Sequence, residues 1–411
     1  MHVEIDIPGA DAQGRVYLTW APVLARARLL EDPGDNAPID VTLQNAGAGG
    51  QLVFDSARTD QGSSTLALAL PADGTPVDFW IAGAFQQPSL ADGDAVVEAV
   101  GTGAAGVLGS KAVMVRIRKN AETLTAAERD RFLAAFGILN GSGASGFGDF
   151  RDMHLQSTVR EAHGNVGFLP WHRAYLLDLE RELQAIDPSV ALPYWRFDLP
   201  APKVFSRQFM GVPDTVGRVQ FSVGHALSAW RTDGQLGITR SMGFAVGAAP
   251  IGLRTEAQTL ALGGPAPTAA YGAFDVMEGN PHGSAHTSFG GFISSIGTAA
   301  RDPLFFMLHN NVDRLWAKWQ WLNQRTDPAD PNAFAPASPA RIGHNLGDTM
   351  WPWNGITLPP RPSTAPGGGL APSIVTSAPG STPTVGNMLD FQGVGGVTAL
   401  GFAYDDVPFE L

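Results

Sequence analysis

The chain has 411 residues, a formal net charge of −12 at pH 7 and no cysteine. Its length predicts two or three domains rather than a single core. The negative charge argues against nucleic acid or an anionic membrane as the main partner. The absence of cysteine excludes disulfides, thiolate metal sites and cysteine nucleophiles.

The first residues, MHVEIDIPGADAQGR, do not resemble a secretory signal, because no apolar stretch follows a basic one. No apolar run reaches the length of about 18 residues that a membrane-spanning helix needs, so we expect no such helix. We therefore favour a cytoplasmic location over export without a visible signal peptide. The sequence leaves the oligomeric state open.

Residues 1–112 have the pattern of a small β-domain. Short runs of alternating apolar and polar residues are separated by Gly, Asp, Asn and Pro, as half-buried antiparallel strands are. The runs are VEIDI, RVYLTW, IDVTLQN, GQLVFDS and STLALALP. Strands at this spacing predict a small β-sandwich. Its single histidine, His2, is expected to be exposed, and we expect the domain to pack rather than to carry chemistry.

Residues 113–411 are assigned to a second, mainly helical domain. Thr125 and Glu128 precede an apolar-periodic stretch and predict a capping box at a helix start. A glycine-rich loop follows at 140–148. Residues 325–390 are rich in Pro and Gly and predict wrapping segments, and VTALGFAYDD near the C-terminus returns to a strand-like pattern. The predicted fold class is α+β.

Six of the nine histidines fall into two groups of three. The groups are His154, His163 and His172, and then His282, His286 and His309. A helix would place His282 and His286, four residues apart, side by side. His225 lies between the groups in sequence and is expected in a loop or packed against the other histidines. His344 is expected to be exposed.

One histidine of each group lies on the apolar face of a predicted helix. His172 extends the apolar stripe of a helical segment that ends at Ile186, so its ring should point inward. His309 follows a helix start with Asp302 as N-cap and Pro303 at the first helical position. Both rings are therefore expected to be buried.

Several imidazoles buried together are unfavourable unless something satisfies their polar nitrogens. A single histidine on an apolar face is usually a core residue bound to a backbone carbonyl, but two such histidines and an HxxxH pair favour a metal centre. The chain has no cysteine and no HExxH motif, so a zinc protease fits poorly. Imidazole-only ligation suits copper or zinc, and two sets of three suit two ions with open positions.

Two stretches closely resemble the copper-binding motifs of the tyrosinase and catechol oxidase (polyphenol oxidase) family of type 3 dicopper proteins. HGNVGFLPWHRAYLLDLERELQ resembles the first motif and DPLFFMLHNNVDRLWAKWQ the second. LPYW at 192–195 and LGFAYDD, with Phe402 and Tyr404 at its aromatic positions, resemble two further segments. The resemblance covers roughly residues 115–410. It implies a tyrosinase-like catalytic domain, a four-helix bundle around two copper ions.

The resemblance also implies roles for individual residues. It assigns His154, His163 and His172 to copper A and His282, His286 and His309 to copper B. It makes Asp313 and Arg314 structural, and we expect a salt bridge within the helix rather than a catalytic role.

The chain departs from the family pattern at several positions. Leu308 replaces the first of two adjacent histidines, but the ligand is the second. Glu278 matches the glutamate that holds an ordered water near copper B, and Gly283 stands where efficient tyrosinases have asparagine. Ile296 occupies the position of the bulky residue that shields copper A in plant enzymes. Thr287 is expected at the mouth of the pocket.

The resemblance therefore implies a polyphenol oxidase that converts o-diphenols to o-quinones with dioxygen. Monophenols must first lose a proton to a positioned base or water. Glu278 should hold that water less well beside Gly283 than beside asparagine, so we expect weak or absent monophenol hydroxylation. The alternatives are an efficient tyrosinase, an o-aminophenol oxidase and, in a different class, a haemocyanin-like dioxygen carrier. The expected partners are dioxygen and a small phenol.

Overall fold

The structure is a computed structural model that describes residues 1–30, 37–102, 106–141, 146–156, 161–232 and 234–411. The chain divides into two compact units. The first comprises Met1–Ile117, Ser373–Ala378 and Phe391–Leu411, and the second comprises Arg118–Pro372 and Pro379–Asp390. The centre of the predicted glycine-rich loop, 142–145, lies outside the described residues.

The described residues of the first unit contain nine β-strands. They are β1 (Val3–Asp6), β2 (Val16–Leu18), β3 (Val23–Leu29), β4 (Ile39–Asn45), β5 (Leu52–Asp55), β6 (Thr65–Leu70), β7 (Val77–Gly83), β8 (Ala95–Gly101) and β9 (Gly106–Val115). Four of them form a sheet in the order β1-β3-β7-β5, and five form another in the order β2-β9-β8-β4-β6. All five predicted runs are strands. Pairing is antiparallel except between β2 and β9, which are parallel.

Residues of both sheets form one buried hydrophobic core in this unit. In β4, Val41 and Leu43 are buried, and Asp40, directly before Val41, is exposed. This alternation is expected of a half-buried strand. Phe79 and Ile81 of β7, in the other sheet, belong to the same cluster. The α+β class is confirmed by these sheets and the helices below, whereas the sandwich and four-helix-bundle arrangements stay predictions.

The unit boundary and the C-terminal segment differ from the sequence-based expectation. Strand β9 continues beyond residue 112, and the N-terminal segment of the first unit extends to Ile117. The C-terminal residues belong to the first unit, because Ala403 and Phe409 lie in its core and the Trp20 Nε1–H donates to the Tyr404 carbonyl at 2.8 Å. The stretch VTALGFAYDD forms no strand. Its apolar residues fill a core built by segments far away in sequence, which local periodicity does not reveal.

The described residues of the second unit form seven α-helices and five short strands. The helices are α1 (Ala126–Gly141), α2 (Phe147–Gln156), α3 (Phe168–Ile186), α4 (Glu256–Leu260), α5 (Tyr271–Phe274), α6 (Ser284–Thr287) and α7 (Leu304–Asn323). The short strands are β10 (Arg218–Val219), β11 (Arg231–Thr232), β12 (Gln235–Leu236), β13 (Ile238–Met242) and β14 (Phe289–Gly291). None of the helices in the described ranges is long and apolar enough to cross a membrane.

Two helix starts follow the predicted capping. Thr125 and Glu128 form the reciprocal capping box before α1, since the Thr125 N–H donates to Glu128 Oε2 at 2.9 Å and the Glu128 N–H donates to Thr125 Oγ1 at 3.2 Å. Before α7, the Leu304 N–H donates to Asp302 Oδ1 at 3.0 Å. Asp302 also pairs with the buried Arg240 at 2.5 Å, which anchors this helix start inside the unit.

Helix α3 begins at Phe168, four residues before the predicted segment. Pro170 therefore lies in the first turn, where its missing N–H needs no partner within the helix. The earlier start places one more turn of α3 beside the histidines. Within 325–390, all of which is described, the only regular element is the short 3₁₀ turn Gly386–Met388; that these segments wrap the domain stays a prediction.

A buried network of four charged residues joins α3 to α7. The arginine network consists of Arg118, Arg173, Glu180 and Asp313. The Arg118 guanidinium lies 2.7 Å from Glu180 and 3.2 Å from Asp313, and Arg173 Nε lies 2.5 Å from Asp313. Because Glu180 and Arg173 are on α3 and Asp313 is on α7, the network holds the two helices in register.

Asp313 and Arg314 have charged partners on other elements. Arg314 Nη2 pairs with Glu256 of α4 at 2.6 Å, while Asp313 accepts from the two arginines of the network. These contacts agree with a structural role, and the salt bridge within the helix stays a prediction. Adjacent residues of a helix point to different sides, and here each side meets a different neighbouring element.

Candidate metal centre

Three histidines from separate segments meet beside α3. His154 is in the last turn of α2, His163 lies in the turn before α3, and His172 is on α3 itself. All three are buried, and one ring nitrogen from each lies within 4.8 Å of the others. The structure thus brings together the first group predicted from the sequence.

The second group is assembled by α6, α7 and the segment before α6. His282 lies in the helical turn Gly279–Gly283, His286 is on α6, and His309 is on α7. Their nearest ring nitrogens also lie within 4.8 Å of one another. The His282 and His286 ring centroids are 4.7 Å apart, as expected for residues four apart in a helical segment.

The two triads adjoin each other. The His172 and His309 rings stack with their centroids 4.3 Å apart and their planes 18° apart. The His154 and His309 centroids are 6.2 Å apart. The six rings therefore form one cluster, called the histidine cluster below, rather than two separate sites.

Backbone carbonyls fix the orientation of three rings. Nδ1 of His172 lies 2.9 Å from the Phe168 oxygen, Nδ1 of His282 lies 2.7 Å from the Glu278 oxygen, and Nδ1 of His286 lies 2.6 Å from the Ile293 oxygen. A carbonyl oxygen only accepts hydrogen bonds, so each of these Nδ1 atoms carries the proton. The opposite nitrogen, Nε2, then presents a lone pair, which is the form that binds a metal ion.

The second triad leaves a hydrogen-bonding conflict that a cation would resolve. Nε2 of His282 and Nε2 of His286 lie 3.2 Å and 3.1 Å from Nε2 of His309. His309 has at most one proton to donate from that atom, so at least one of the two contacts lacks a good hydrogen bond, and without that proton lone pairs face each other. A metal ion bound among the three nitrogens turns this repulsion into coordination. The donor set, three neutral imidazoles, fits copper or zinc.

Burial keeps all six rings neutral. Desolvation is the largest cause of a lowered pKa at every ligand candidate, and it brings the pKa of His163 and that of His286 to about 4. Neighbouring imidazoles add to the lowering at His154 and His309. At neutral pH the rings are therefore deprotonated at the ligating nitrogen, as metal binding requires.

Two phenylalanine side chains pack against rings of the histidine cluster. The Phe305 ring lies 4.1 Å from His309 and 4.6 Å from His154, centroid to centroid. The Phe168 ring lies 4.6 Å from His172 and 4.8 Å from His282. Leu308, in place of the family's additional histidine, is fully buried and is not part of either triad.

A cavity of about 780 Å³ opens onto both triads. Histidines from each triad line it: His154, His163, His282 and His286. The four further site residues predicted from the sequence also line it: Glu278, Gly283, Thr287 and Ile296. A cavity of this size accommodates a small organic molecule.

These four residues differ in what they present to the cavity. Glu278 Oε1 accepts a hydrogen bond from the Gly164 N–H at 2.7 Å, and burial raises the pKa of its carboxyl. Thr287 Oγ1 donates to the Gly283 carbonyl at 3.0 Å. Ile296 is 50% exposed, so it forms part of the cavity rim and does not fill the cavity.

Asp275, which was not predicted as a site residue, also lines this cavity. It lies three residues before Glu278 in the 3₁₀ turn Asp275–Glu278, and that spacing was the available signal, because i and i+3 share a helix face. Burial, and then the neighbouring Glu278, raise the pKa of Asp275 to about 7.

The remaining histidines lie outside the cluster. His225 stacks on Phe221 with centroids 4.6 Å apart. His344 was expected to be exposed, but it is buried and its Nδ1 accepts from the Gly167 N–H at 3.1 Å. That contact joins a wrapping segment to the residue preceding α3, a long-range pairing that the sequence pattern does not show.

Comparison with known proteins gives a consistent family. Residues 144–322 match the common central domain of tyrosinase. A tyrosinase from Streptomyces glaucescens is 36% identical over 265 residues, which are 58% of this chain and 92% of the relative. A polyphenol oxidase variant from Thermothelomyces thermophila is 21% identical, with a TM-score of 0.45 over 72% of this chain and 88% of that chain. A functional unit of octopus hemocyanin is 20% identical, with a TM-score of 0.46 over 72% and 69%.

Proposed function

The chain belongs to the tyrosinase family of type 3 copper proteins, and we propose that it is a dicopper catechol oxidase. This enzyme oxidises o-diphenols to o-quinones with dioxygen and hydroxylates monophenols weakly or not at all. The family relationship supports a copper oxidoreductase that uses dioxygen and phenolic substrates. The preference for o-diphenols is our proposal from the residues of the cavity.

The two triads would hold the two copper ions. His154, His163 and His172 would bind copper A, and His282, His286 and His309 would bind copper B. The copper pair, when bound, would supply electron transfer from two diphenols, two electrons from each, to one dioxygen, which takes up their four protons and becomes two waters. The carbonyls of Phe168 and Glu278 keep the His172 and His282 rings turned with Nε2 toward the metal position.

The observation that carries the proposal is the cavity that reaches histidines of both triads. Val166, Val276 and Ala299 give it apolar walls, which suit a flat aromatic ring. Ile296 is half exposed at the rim and leaves the cavity open to a phenol. This access supports an oxidase over a dioxygen carrier, in which a side chain would keep phenols out.

The weak hydroxylation of monophenols is proposed from Glu278 and Gly283. A monophenol must give up its proton, and a water held by Glu278 could accept it. One carboxylate oxygen of Glu278 is already bound by the Gly164 N–H. Gly283 offers no side-chain group to hold the same water, so the water would be less well positioned than beside an asparagine.

Oxygen uptake by the copper-loaded protein tests the proposal. We expect rapid uptake with 4-methylcatechol and slow uptake with p-cresol, and two copper ions per chain. Equal rates would favour an efficient tyrosinase, and a higher rate with o-aminophenol would favour an o-aminophenol oxidase. A protein that binds dioxygen reversibly but consumes almost none with 4-methylcatechol would be a carrier, which would overturn the proposal.

Gly283→Asn should raise the rate with monophenols relative to that with diphenols. The backbone at Gly283, with φ −60° and ψ −35°, suits any residue, and an added Cβ would lie 3.3 Å from the Glu278 carbonyl oxygen. One added hydrogen bond to the water predicts a roughly two- to tenfold increase in the ratio of the two rates. Gly283→Ala, which adds the Cβ without the amide, is the matched control. An unchanged ratio in the asparagine variant would count against the role given to Gly283.

A further inference from the structure

Two acidic side chains line the cavity. Asp275 and Glu278 both face it, and no lysine or arginine among the described residues does. The chain as a whole carries a formal charge of −12, which attracts cations and repels anions at a distance.

Asp275 is the carboxylate with a free acceptor. Tyr271 is within hydrogen-bonding reach of this carboxyl group, but the Tyr271 hydroxyl donates to the Val166 carbonyl at 2.6 Å. Asp275 Oδ1 is buried and has no hydrogen-bond partner in the described part of the chain. A buried carboxylate oxygen without a partner disfavours the charged form of Asp275, and a positive charge bound beside this carboxyl group in the cavity would favour it.

Asp275 is also separate from the metal ligands. It lies seven residues before His282, in the turn Asp275–Glu278, and the structure places it in neither triad. Val276, beside it, is 52% exposed, so this wall of the cavity has an apolar surface next to an acidic one. A molecule with an aromatic ring and a positive charge matches that combination.

We propose that Asp275 makes the cavity selective for phenols with a cationic amino side chain, over phenols with a carboxylate side chain. The proposal rests on the proposed oxidase function and names its substrate class. The aromatic ring would enter toward the histidines while the ammonium group donates to the Asp275 carboxylate. An anionic side chain would meet two carboxylates, and such like-charge contacts are unfavourable.

The pKa of Asp275, raised to about 7, agrees with this role. Burial and Glu278 both disfavour the charged form in the absence of a ligand. A bound ammonium group would favour the ionised carboxylate, as opposite charges do. Asp275 would act through substrate binding, as a specificity-determining residue.

Three catechols with a cationic, a neutral and an anionic side chain test the proposal. Dopamine is cationic, 4-methylcatechol is neutral and 3-(3,4-dihydroxyphenyl)propionate is anionic at neutral pH. For the copper-loaded protein we expect kcat/KM for dopamine to exceed that for the propionate by roughly tenfold or more, and Asp275→Asn to reduce this ratio by roughly fivefold. The Asp327→Asn variant, which removes an equal charge at an exposed site away from the cavity, should keep the wild-type ratio.

Binding to the metal-free protein provides a second measurement. Calorimetric titration with phenethylamine and with 3-phenylpropionate should show tighter binding of the amine to the wild type, and a smaller difference in Asp275→Asn. This comparison does not need activity. Circular dichroism and copper content verify that the Asp275→Asn variant folds. If the variant does not fold, the preference of the wild-type protein for the amine over the carboxylate still tests the proposal.

The outcomes separate the two proposals. No oxidation of 4-methylcatechol would overturn the oxidase function, while the binding comparison would still test the charge preference. Oxidation of all three catechols with no preference for dopamine would overturn the role of Asp275 and leave the oxidase function standing. A preference that Asp275→Asn leaves unchanged would also overturn it.

Discussion

The second unit contains two buried clusters of polar side chains, the arginine network and the histidine cluster, and they differ in how their polar groups are satisfied. In the arginine network each charge meets an opposite charge at 2.5 to 3.2 Å. In the histidine cluster, nitrogens of the same kind face each other at 3.1 to 3.2 Å. Both clusters are anchored on α3 and α7.

The difference indicates which cluster is structural and which binds a ligand. A buried polar group that has a partner within the protein needs no ligand. A buried lone pair without a donor destabilises the folded chain until a ligand or ion binds it. The arginine network holds α3 and α7 together so that His172 and His309 face each other. The histidine cluster then requires a cation, and this requirement is the physical basis of the metal site.

The largest expected effect is the loss of activity when a ligand is removed from the histidine cluster. His309→Phe keeps an aromatic ring between His172 and Phe305 but removes a ligand, so copper content and diphenol oxidation should fall, the latter to the background rate. The free energy of unfolding of the metal-free protein should stay within about 1 kcal/mol of the wild type, or rise, because an unsatisfied polar group is removed.

Copper analysis, oxygen uptake and chemical denaturation of the metal-free protein measure these effects. The matched control is Leu308→Met, a buried neighbour that is not in a triad and is replaced with little change in volume. Two retained copper ions in the His309→Phe variant would show that this histidine is not a ligand.

The next effect is on stability. Asp313→Asn removes the anion that two buried arginines share, and breaking a buried ion pair in this way costs about 3–5 kcal/mol. Denaturation by urea should show this loss in the metal-free protein and in the copper-loaded protein. The exposed pair of Arg26 and Asp78 offers the control, since Asp78→Asn should change stability little. An Asp313→Asn variant as stable as the wild type would contradict the structural role of the network.

The smallest effect is the pH dependence of the metal-free protein. The pKa of His163 is about 4 in the folded chain, below its ordinary value of 6.5. Between these values the unfolded chain binds more protons, so stability is fully present above about pH 6.5 and is lost as the pH falls toward 4. At pH 5.5 the loss is about 1 kcal/mol for this ring.

Denaturation at pH 7 and at pH 5.5 measures the effect. The His163→Gln variant should lose less stability between the two pH values than the wild type, by about 1 kcal/mol. His2→Gln, at an exposed position, should leave the difference as it is. An equal loss in His163→Gln and the wild type would mean that this ring is not buried in the metal-free protein.

Several features were predictable because they depend on local pattern. The spacing of His282 and His286, the apolar face that carries His172 and the cap of Asp302 are all set by residues close in sequence. Helical geometry and capping act over a few residues, so these predictions are confirmed. The two histidine groups followed from the same local reasoning together with the family resemblance.

Other features were not predictable because their partners are distant. His344 is buried by its contact with Gly167, and Ala403 and Phe409 complete a core formed by strands near the other end of the chain. Asp313 pairs with Arg118 and Arg173. The periodicity of the sequence does not predict such contacts, because each joins residues more than 100 positions apart.

The sequence by itself determined the six histidines as ligand candidates, the class α+β and the family to which the chain belongs. Only the tertiary structure decided which ring nitrogen faces the metal position, where the cavity opens and that Asp275 lines it. The physical reason is that residue type and local period set the chemistry and the buried face of each element. The packing of distant segments sets the distances, and those distances determine which buried groups lack partners.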